Sequence, residues 1–297
     1  MLAYKVGKKK MEWNDSIYLQ PKLDGVRCLI QREVFPISQG GARVVAYSRT
    51  GKEWKNINHI LEELTPFFQK YPDVVLDGEL YNHELRDDFE KIISLVRKKK
   101  PTDEDRSEAK EMVQYHVYDI IDPDSDKPFS LRNNFIKETF SYQEYARKVR
   151  RAKILYPSIK TLTFGLVQSR KHAYDLHKLN VKAGYEGSIL RLDKSYEQKR
   201  SYNLQKFKDF HDAEAIIVGY EEGKGKRVGT LGKFVMQDEE GVQFGCPPGK
   251  GFNYKDLRNI LNNIHDYIGQ EATFTYFERT KAGSYRHPLF KTIRNYE

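Results

Sequence analysis

Apolar and polar positions alternate along four stretches, 42–49 (ARVVAYSR), 73–81 (DVVLDGELY), 113–121 (VQYHVYDII) and 186–193 (EGSILRLD), and the alternation predicts strands. Between them the spacing becomes helical. Ile57, Ile60, Leu61, Leu64 and Phe68 share one face, and so do Phe89, Ile92, Ile93 and Val96. A weaker helical pattern over 172–183 ends at Gly184, a natural helix stop. The mixture predicts an α+β core.

After KFKDF at 206–210 the texture changes to short strands with tight turns, in AEAIIVGYEEG, GKFVMQDEEGVQFG and EATFTYFERT. One amphipathic helix carrying Leu257, Ile260, Leu261, Ile264 and Ile268 interrupts them. Several short strands plus one helix in about 86 residues predict a small Greek-key β-barrel of the OB type. The expected division is therefore 1–210 and 211–297, with no Pro-rich linker, repeat or low-complexity tract between the two parts.

Composition narrows the class. A chain of 297 residues with 39% hydrophobic content fills real cores in one large domain or two unequal ones. Lys and Arg outnumber Asp and Glu by 51 to 42, and the excess is gathered in KVGKKK at 5–10, VRKKKP at 96–101, ARKVRRAK at 146–153 and KGKRVG at 224–229. A single such run is usually a solvated face. Four of them, with a net charge of +9, favour a polyanionic partner such as nucleic acid. Cys28 and Cys246 are the two cysteines, too few for a disulfide framework and without a CxxC zinc spacing, so both are expected as reduced thiols in a cytosolic or nuclear setting. The N-terminal stretch lacks the apolar run of a signal peptide, and no segment approaches the roughly 20 apolar residues of a spanning helix. The expectation is a soluble, unsecreted protein without a membrane partner, cytoplasmic (at the nucleoid) or nuclear if its source is eukaryotic or viral. Nothing signals a coiled coil, so a monomer is expected.

The stretch YLQPKLDGVRCLIQRE at 18–33 sets Lys22 at the end of a strand, with Asp24-Gly25 and Arg27 close behind. Lys22 is a nucleophile only as the neutral amine, which at an unperturbed pKa of about 10.4 is less than roughly one molecule in a thousand at pH 7. Desolvation, a metal or neighbouring cations can lower that pKa. Lys206 and Lys208 in LQKFKDF alternate so that both amines face one side of a strand. Taken alone, a lysine before a turn is more often a surface residue. The series that follows in order changes the balance: SRTG at 48–51, LDGELY at 76–81, YHVYDI at 115–120, GYEGSILR at 184–191, and then LQKFKDF.

This ordered set resembles the covalent nucleotidyltransferase superfamily, and within it the ATP-dependent DNA ligases of minimal size found in large DNA viruses, phages and some bacteria. The resemblance covers nearly the whole chain. It implies an adenylation domain of antiparallel sheets with flanking helices, followed by an OB domain. It implies that Lys22 attacks the α-phosphate of ATP, expels pyrophosphate and carries AMP as a phosphoramidate. By the same resemblance Arg27 contacts the AMP sugar and later the nicked strand, and Arg49 binds the 5′-phosphate of a nick, which a planar fork of donors suits. Glu79 accepts from the ribose, Tyr118 stacks on adenine, and Gln20 lies where the family reads the adenine amino edge. Glu186 helps bind Mg²⁺ (or Mn²⁺), with Asp24 and Glu79 as further carboxylate candidates. Lys206 and Lys208 hold the α-phosphate, and Asp24 is a candidate to assist the final attack. Nucleotidyl transfer needs cations at the phosphate, carboxylates for a hard metal and a flat group for the base, and these residues supply all three. The eight histidines have no zinc-like spacing.

Two departures accompany the resemblance. Only 21 residues precede Lys22, so no N-terminal helical DNA-binding domain is expected, and YEEGKGKRVGTLGKF holds a short basic turn where some relatives insert a long hairpin. Grip on duplex DNA is therefore expected to be partial and salt-sensitive. The closing motif, YRHPLFKTIRNYE, is abbreviated, with Arg286, Lys291 and Arg294 as its cations for pyrophosphate or substrate. Three other readings stay open at this stage: an RNA ligase, an mRNA guanylyltransferase using GTP, and a basic nucleic-acid-binding protein without catalysis.

Overall fold

The computed structural model describes residues 1–6, 13, 16–123, 126–141, 156–280 and 282–294. Of the four basic runs, 146–153 and most of 5–10 lie outside the described residues. The chain divides into two compact units, Met1–Lys208 and Asp209–Glu297.

Two five-stranded sheets build the first unit. One runs in the order Leu2–Lys5, Arg200–Phe207, Gly187–Leu192, Ile17–Lys22, Gly165–Val167. The other runs Ala42–Tyr47, Val26–Val34, Val75–Tyr81, Gln114–Ile121, Ile159–Thr161. Most neighbours are antiparallel, with a parallel pair at one edge of each sheet. Of the alternating stretches, 73–81, 113–121 and 186–193 supply interior strands and 42–49 an edge strand, and Leu76, Leu80, Tyr115 and Val117 all pack into the main core. A smaller core beneath the first sheet joins Ile17, Leu19, Val167 and Leu190 to Ala173 of a helix.

Helix Asn58–Lys70 buries Ile60, Leu64 and Phe68 of the predicted face together with Phe67, while Leu61 is only partly covered. Helix Phe89–Val96 buries Ile92, Leu95 and Val96. Helix Arg170–Lys182 begins on the Ser169 side chain, which accepts from the His172 amide, and is followed by Gly184 at φ +86°. Two helices had no readable pattern. Asp103–Met112 buries only Ala109 and is held at its start by a Thr102/Asp105 capping box. Phe129–Ile136 places Arg132 and Asn133 inside alongside Phe129 and Ile136, so polarity along it does not report burial.

In the second unit a five-stranded antiparallel sheet runs Gln243–Cys246, Leu231–Gln237, His211–Glu222, Glu271–Tyr276, Leu289–Ile293. Its edges curl toward one another. Pro248 bridges Phe290, the Phe290 amide donates to the Pro247 carbonyl at 2.9 Å, and the Gly249 amide donates to the Phe290 carbonyl at 2.9 Å. This is the OB-like architecture expected from short strands and one helix, though the closure is local rather than a full ladder. The helix, Tyr254–Asn262, stops sooner than its apolar spacing suggests: Ile264 falls in a following 3₁₀ turn and Ile268 is exposed. The expected basic turn is a 3₁₀ turn, Gly225–Arg227.

Candidate active site

Strand pairing brings distant motifs together in the first unit. Lys22 ends the Ile17–Lys22 strand, and its partner across the ladder is Gly187. The amide of Glu186 donates to the Lys22 carbonyl at 3.1 Å. The side chains follow the backbone: the Lys22 ammonium donates to Glu186 Oε2, and Lys208 pairs with Oε1 of the same carboxylate. Glu186 is almost wholly buried, whereas the Lys22 side chain keeps 23% exposure. Lys206 sits opposite Ile189 on the neighbouring strand, and Lys208 follows directly after that strand ends at Phe207. Two glycines permit this closeness. A Cβ at Gly187, where φ is +148°, would stand 2.3 Å from the Phe207 carbonyl oxygen, and one at Gly25 would stand 2.4 Å from that of Leu80. The Asp-Gly after Lys22 is thus the point where its loop packs on the other sheet.

That second sheet contributes the remaining groups. Arg27 and Glu79 are register partners on adjacent strands. The Arg27 fork is bidentate on Asp77, Nε to Oδ1 at 2.9 Å and Nη2 to Oδ2 at 2.8 Å, and the Tyr196 hydroxyl donates to Oδ2 at 2.7 Å. Burial opposes the Arg27 charge, but Asp77 outweighs it and holds the guanidinium above its ordinary pKa. Glu79 has the opposite balance. Desolvation pushes its carboxyl up to about 7, and the pull of Lys22 in the other direction does not cancel the push, to which Asp77 and Asp24 add. The Tyr118 hydroxyl reaches Glu79 Oε2 at 3.5 Å.

These groups border a cavity of about 1000 Å³ whose walls include Gln20, Lys22, Arg27, Arg49, Glu79 and Tyr118. Arg49 reaches it from the turn that follows Ala42–Tyr47, where Ser48 accepts from Gly51 and Lys52. Lys52, Lys55, Arg97, Lys98 and Lys99 add a cationic flank, so the basic run at 96–101 belongs to this cavity. Asp24, Glu186, Lys206 and Lys208 are not wall residues; Glu186 and Lys208 meet the cavity through Lys22. Arg286 and Arg294 belong to the second unit, where they pair with Glu278 and Glu214, as Lys291 pairs with Asp212 at 2.8 Å. Among the described residues no three His, Cys, Asp or Glu side chains converge to hold a metal ion. Mg²⁺ does not require such a cage, since one or two carboxylates plus substrate phosphates suffice. Glu186 has the carboxylate chemistry for that role, but both of its oxygens are taken by the Lys22 and Lys208 ammonium groups, so a metal ion there would replace one of them.

Several participants escaped the sequence reading. Asp77, Asp119 and Arg191 lie inside stretches whose motifs were recognised, yet nothing local says that Asp77 holds Arg27 or that Arg191 reaches Gln20. Tyr196 had no signal at all. Cys28 and Cys246 are both buried free thiols, and burial raises the pKa of each, that of Cys246 to about 12.

Known proteins resemble this chain over both units. The family described as the ATP dependent DNA ligase domain matches residues 1–208, and the family described as the DNA ligase OB-like domain matches 222–294. The DNA ligase of African swine fever virus (isolate Tick/South Africa/Pretoriuskop Pr4/1996) is 28% identical over 296 residues, which is 91% of this chain and 64% of the viral protein. The chain thus spans a little under two thirds of the length of these viral relatives. The DNA ligase of Haemophilus influenzae is 23% identical over 230 residues, 76% of this chain and 73% of its own. Among solved structures, one named Pmar-Lig_Pre superposes with a TM-score of 0.79 at 26% identity, covering 100% of this chain and 67% of its own. A Lig E DNA ligase shares the fold with a TM-score of 0.74 at 24% identity, over 99% of this chain and 98% of its own.

Proposed function

The chain belongs to the family of ATP-dependent DNA ligases, and on that premise we propose that it seals nicks in duplex DNA through a covalent AMP on Lys22. The observation that carries the reading is the meeting of Lys22, Glu186 and Lys208 at the edge of a cavity that Arg27, Arg49, Glu79 and Tyr118 also border.

The chemistry follows in three transfers. Lys22 Nζ forms a bond to the α-phosphorus of ATP as the bond to pyrophosphate breaks. An oxygen of the nick's 5′-phosphate then displaces the lysine, and the 3′-hydroxyl finally displaces AMP to leave a phosphodiester. For the first transfer Lys22 must give up the proton that it donates to Glu186, because an ammonium has no lone pair for attack. Lys208 remains on the carboxylate beside it as a fixed cation at the developing charge. Lys206 acts with it at the α-phosphate. Asp77 holds the Arg27 fork in one orientation toward the nucleotide sugar. Tyr118 stacks on the base, Glu79 accepts from the ribose, and Arg49 with the cationic flank takes the 5′-phosphate and adjoining strand. Mg²⁺, held by Glu186 with Glu79 or Asp24 and the phosphates, would neutralise charge during transfer. Arg286 and Arg294 are assigned to pyrophosphate or substrate.

The test is sealing of a 5′-labelled nicked duplex by pre-adenylated protein with Mg²⁺, with DNA or RNA on the 3′-hydroxyl side. Sealing of the all-DNA nick is expected. Sealing confined to the RNA-containing nick would replace this reading with RNA repair.

A further inference from the structure

Lys206 and Lys208 alternate with Phe207, so the ring between them faces the other side of the sheet. On the lysine side, Leu204 and Ile189, the register partner of Lys206, border the cavity. On the far side, Phe207 packs on the smaller core beneath the sheet. There it meets the helix Arg170–Lys182 face to face: the rings of Phe207 and His177 are parallel to within 6°, with centroids 3.8 Å apart. Tyr174, one turn earlier on that helix, closes on Phe207 edge-on at 5.1 Å.

His177 is fully buried, and its ring meets the neighbouring strand as well. Nδ1 lies 3.1 Å from Ser188 Oγ, and Asn180 Nδ2 donates to the same oxygen at 2.9 Å. The arrangement that satisfies all three groups has Ser188 giving its proton to Nδ1. Ser188 is the register partner of both Phe207 and Pro21, so it lies between the strand of Lys206 and the strand of Lys22. A Cβ on Gly187, the partner of Lys22, would stand 3.3 Å from His177 Cε1. One imidazole therefore backs both chain segments that carry Glu186 and Lys208, the two residues that pair in the site. A phenylalanine at 177 would keep the stack and lose the bond to Ser188. An alanine would lose both.

Resting on the reading of Lys22, Glu186 and Lys208 as the site of nucleotidyl transfer, we propose that His177 is a positioning residue behind that site: its stack on Phe207 sets where Lys206 and Lys208 stand relative to Glu186 and the α-phosphate. His177 touches no reacting atom. It acts through Phe207, and its effect falls on the rate of transfer more than on ATP binding, because the charge that the lysines meet grows during transfer.

Single-turnover formation of the covalent lysyl-AMP with Mg²⁺, followed by intact mass across ATP concentrations, tests this. It reads the fraction of protein that finally carries AMP, the maximal rate and the ATP dependence; thermal unfolding reads stability beside them. His177→Ala should reach the wild-type end point with little change in ATP dependence, at a maximal rate about tenfold to a hundredfold lower. His177→Phe should also lose stability, because Ser188 is left without its ring partner, yet keep a rate close to wild type. A rate that follows thermal stability through the three proteins, or a lower end point at an unchanged rate, would show that His177 serves only the fold. Should His177→Ala fold poorly, Phe207→Leu stands in for it, since leucine keeps apolar bulk in the smaller core and removes the flat face. It should slow transfer as His177→Ala does, and a wild-type rate overturns the proposal. Failure of the nucleotidyl-transfer reading itself looks different, since the wild-type protein would then form no adduct.

Discussion

Each unit contains a carboxylate withdrawn from water, and the two are treated in opposite ways. In the second unit Asp238 Oδ1 accepts from the Glu240 and Val242 amides at 3.0 and 2.9 Å, and Oδ2 accepts from Tyr285 and Arg279 at 2.8 and 3.1 Å. Burial opposes its ionisation, but the Val242 and Tyr285 hydrogen bonds and the Arg279 charge win, and its pKa lies below the ordinary value of 3.8. In the first unit Glu79 is reached among the described residues only by Tyr118 at 3.5 Å, and desolvation lifts its pKa to about 7. One carboxylate ties a turn to a hairpin. The other is left under-satisfied on a cavity wall, where a ligand hydroxyl can supply what the protein withholds. Asp119 stands between these cases, satisfied by two arginines, one of which also holds Gln20.

The contrast is most severely tested at Lys22. Lys22→Ala should abolish the covalent adenylate completely while leaving the fold in place, and intact mass after incubation with ATP and Mg²⁺ reads the result. One AMP still attached would move the nucleophile elsewhere.

The next effect is in stability against pH. For Glu79 the native pKa of about 7 lies above the ordinary 4.5, so the native state binds the extra proton between those values and stability falls as pH rises through that window. At about 1.4 kcal/mol per pH unit the loss approaches about 3 kcal/mol. Glu79→Gln should remove it, seen as denaturant unfolding free energies that diverge from wild type between pH 4.5 and 7. Parallel curves would mean that Glu79 is not desolvated.

Asp238 has the opposite sign. Its depressed pKa contributes stability that is present above 3.8 and lost as pH falls through the native value. Asp238→Ala should cost about 1–3 kcal/mol at pH 7, by leaving the Tyr285 hydroxyl proton and two amides without their acceptor. Thermal unfolding should show the cost fading below pH 3.8, and a cost independent of pH would assign it to lost packing. Tyr118→Ala is expected to weaken ATP use by on the order of 1–3 kcal/mol through lost stacking. An unchanged apparent ATP affinity in adduct formation would remove the stacking role.

Much of the first unit was legible from one dimension. Strand alternation identified Val75–Tyr81 and Gln114–Ile121, the strands that carry Glu79 and Tyr118; burial alternates along most of the second, whereas the first is covered on both faces. Lys22 and Glu186, each ordinary alone, stood out through the ordered series of motifs that resembles the nucleotidyltransferases. The helix Asp103–Met112 was not legible, since it is polar nearly all round and its start is fixed by a cap rather than by an apolar face. Arg132 carried no signal in the sequence, and the fold buries it on Asp119.

Residue order along the chain settles which residue types face one side of each strand, where turns need glycine, and which groups are at hand for nucleotidyl transfer. The tertiary structure alone decided their pairings. Glu186 meets Lys22 across 164 positions, and Arg191 meets Gln20 across 171 and Asp119 across 72. Periodicity is a local property of the backbone, whereas ladder register between distant strands is set by how whole faces pack, and it is register that determines which arginine holds which amide.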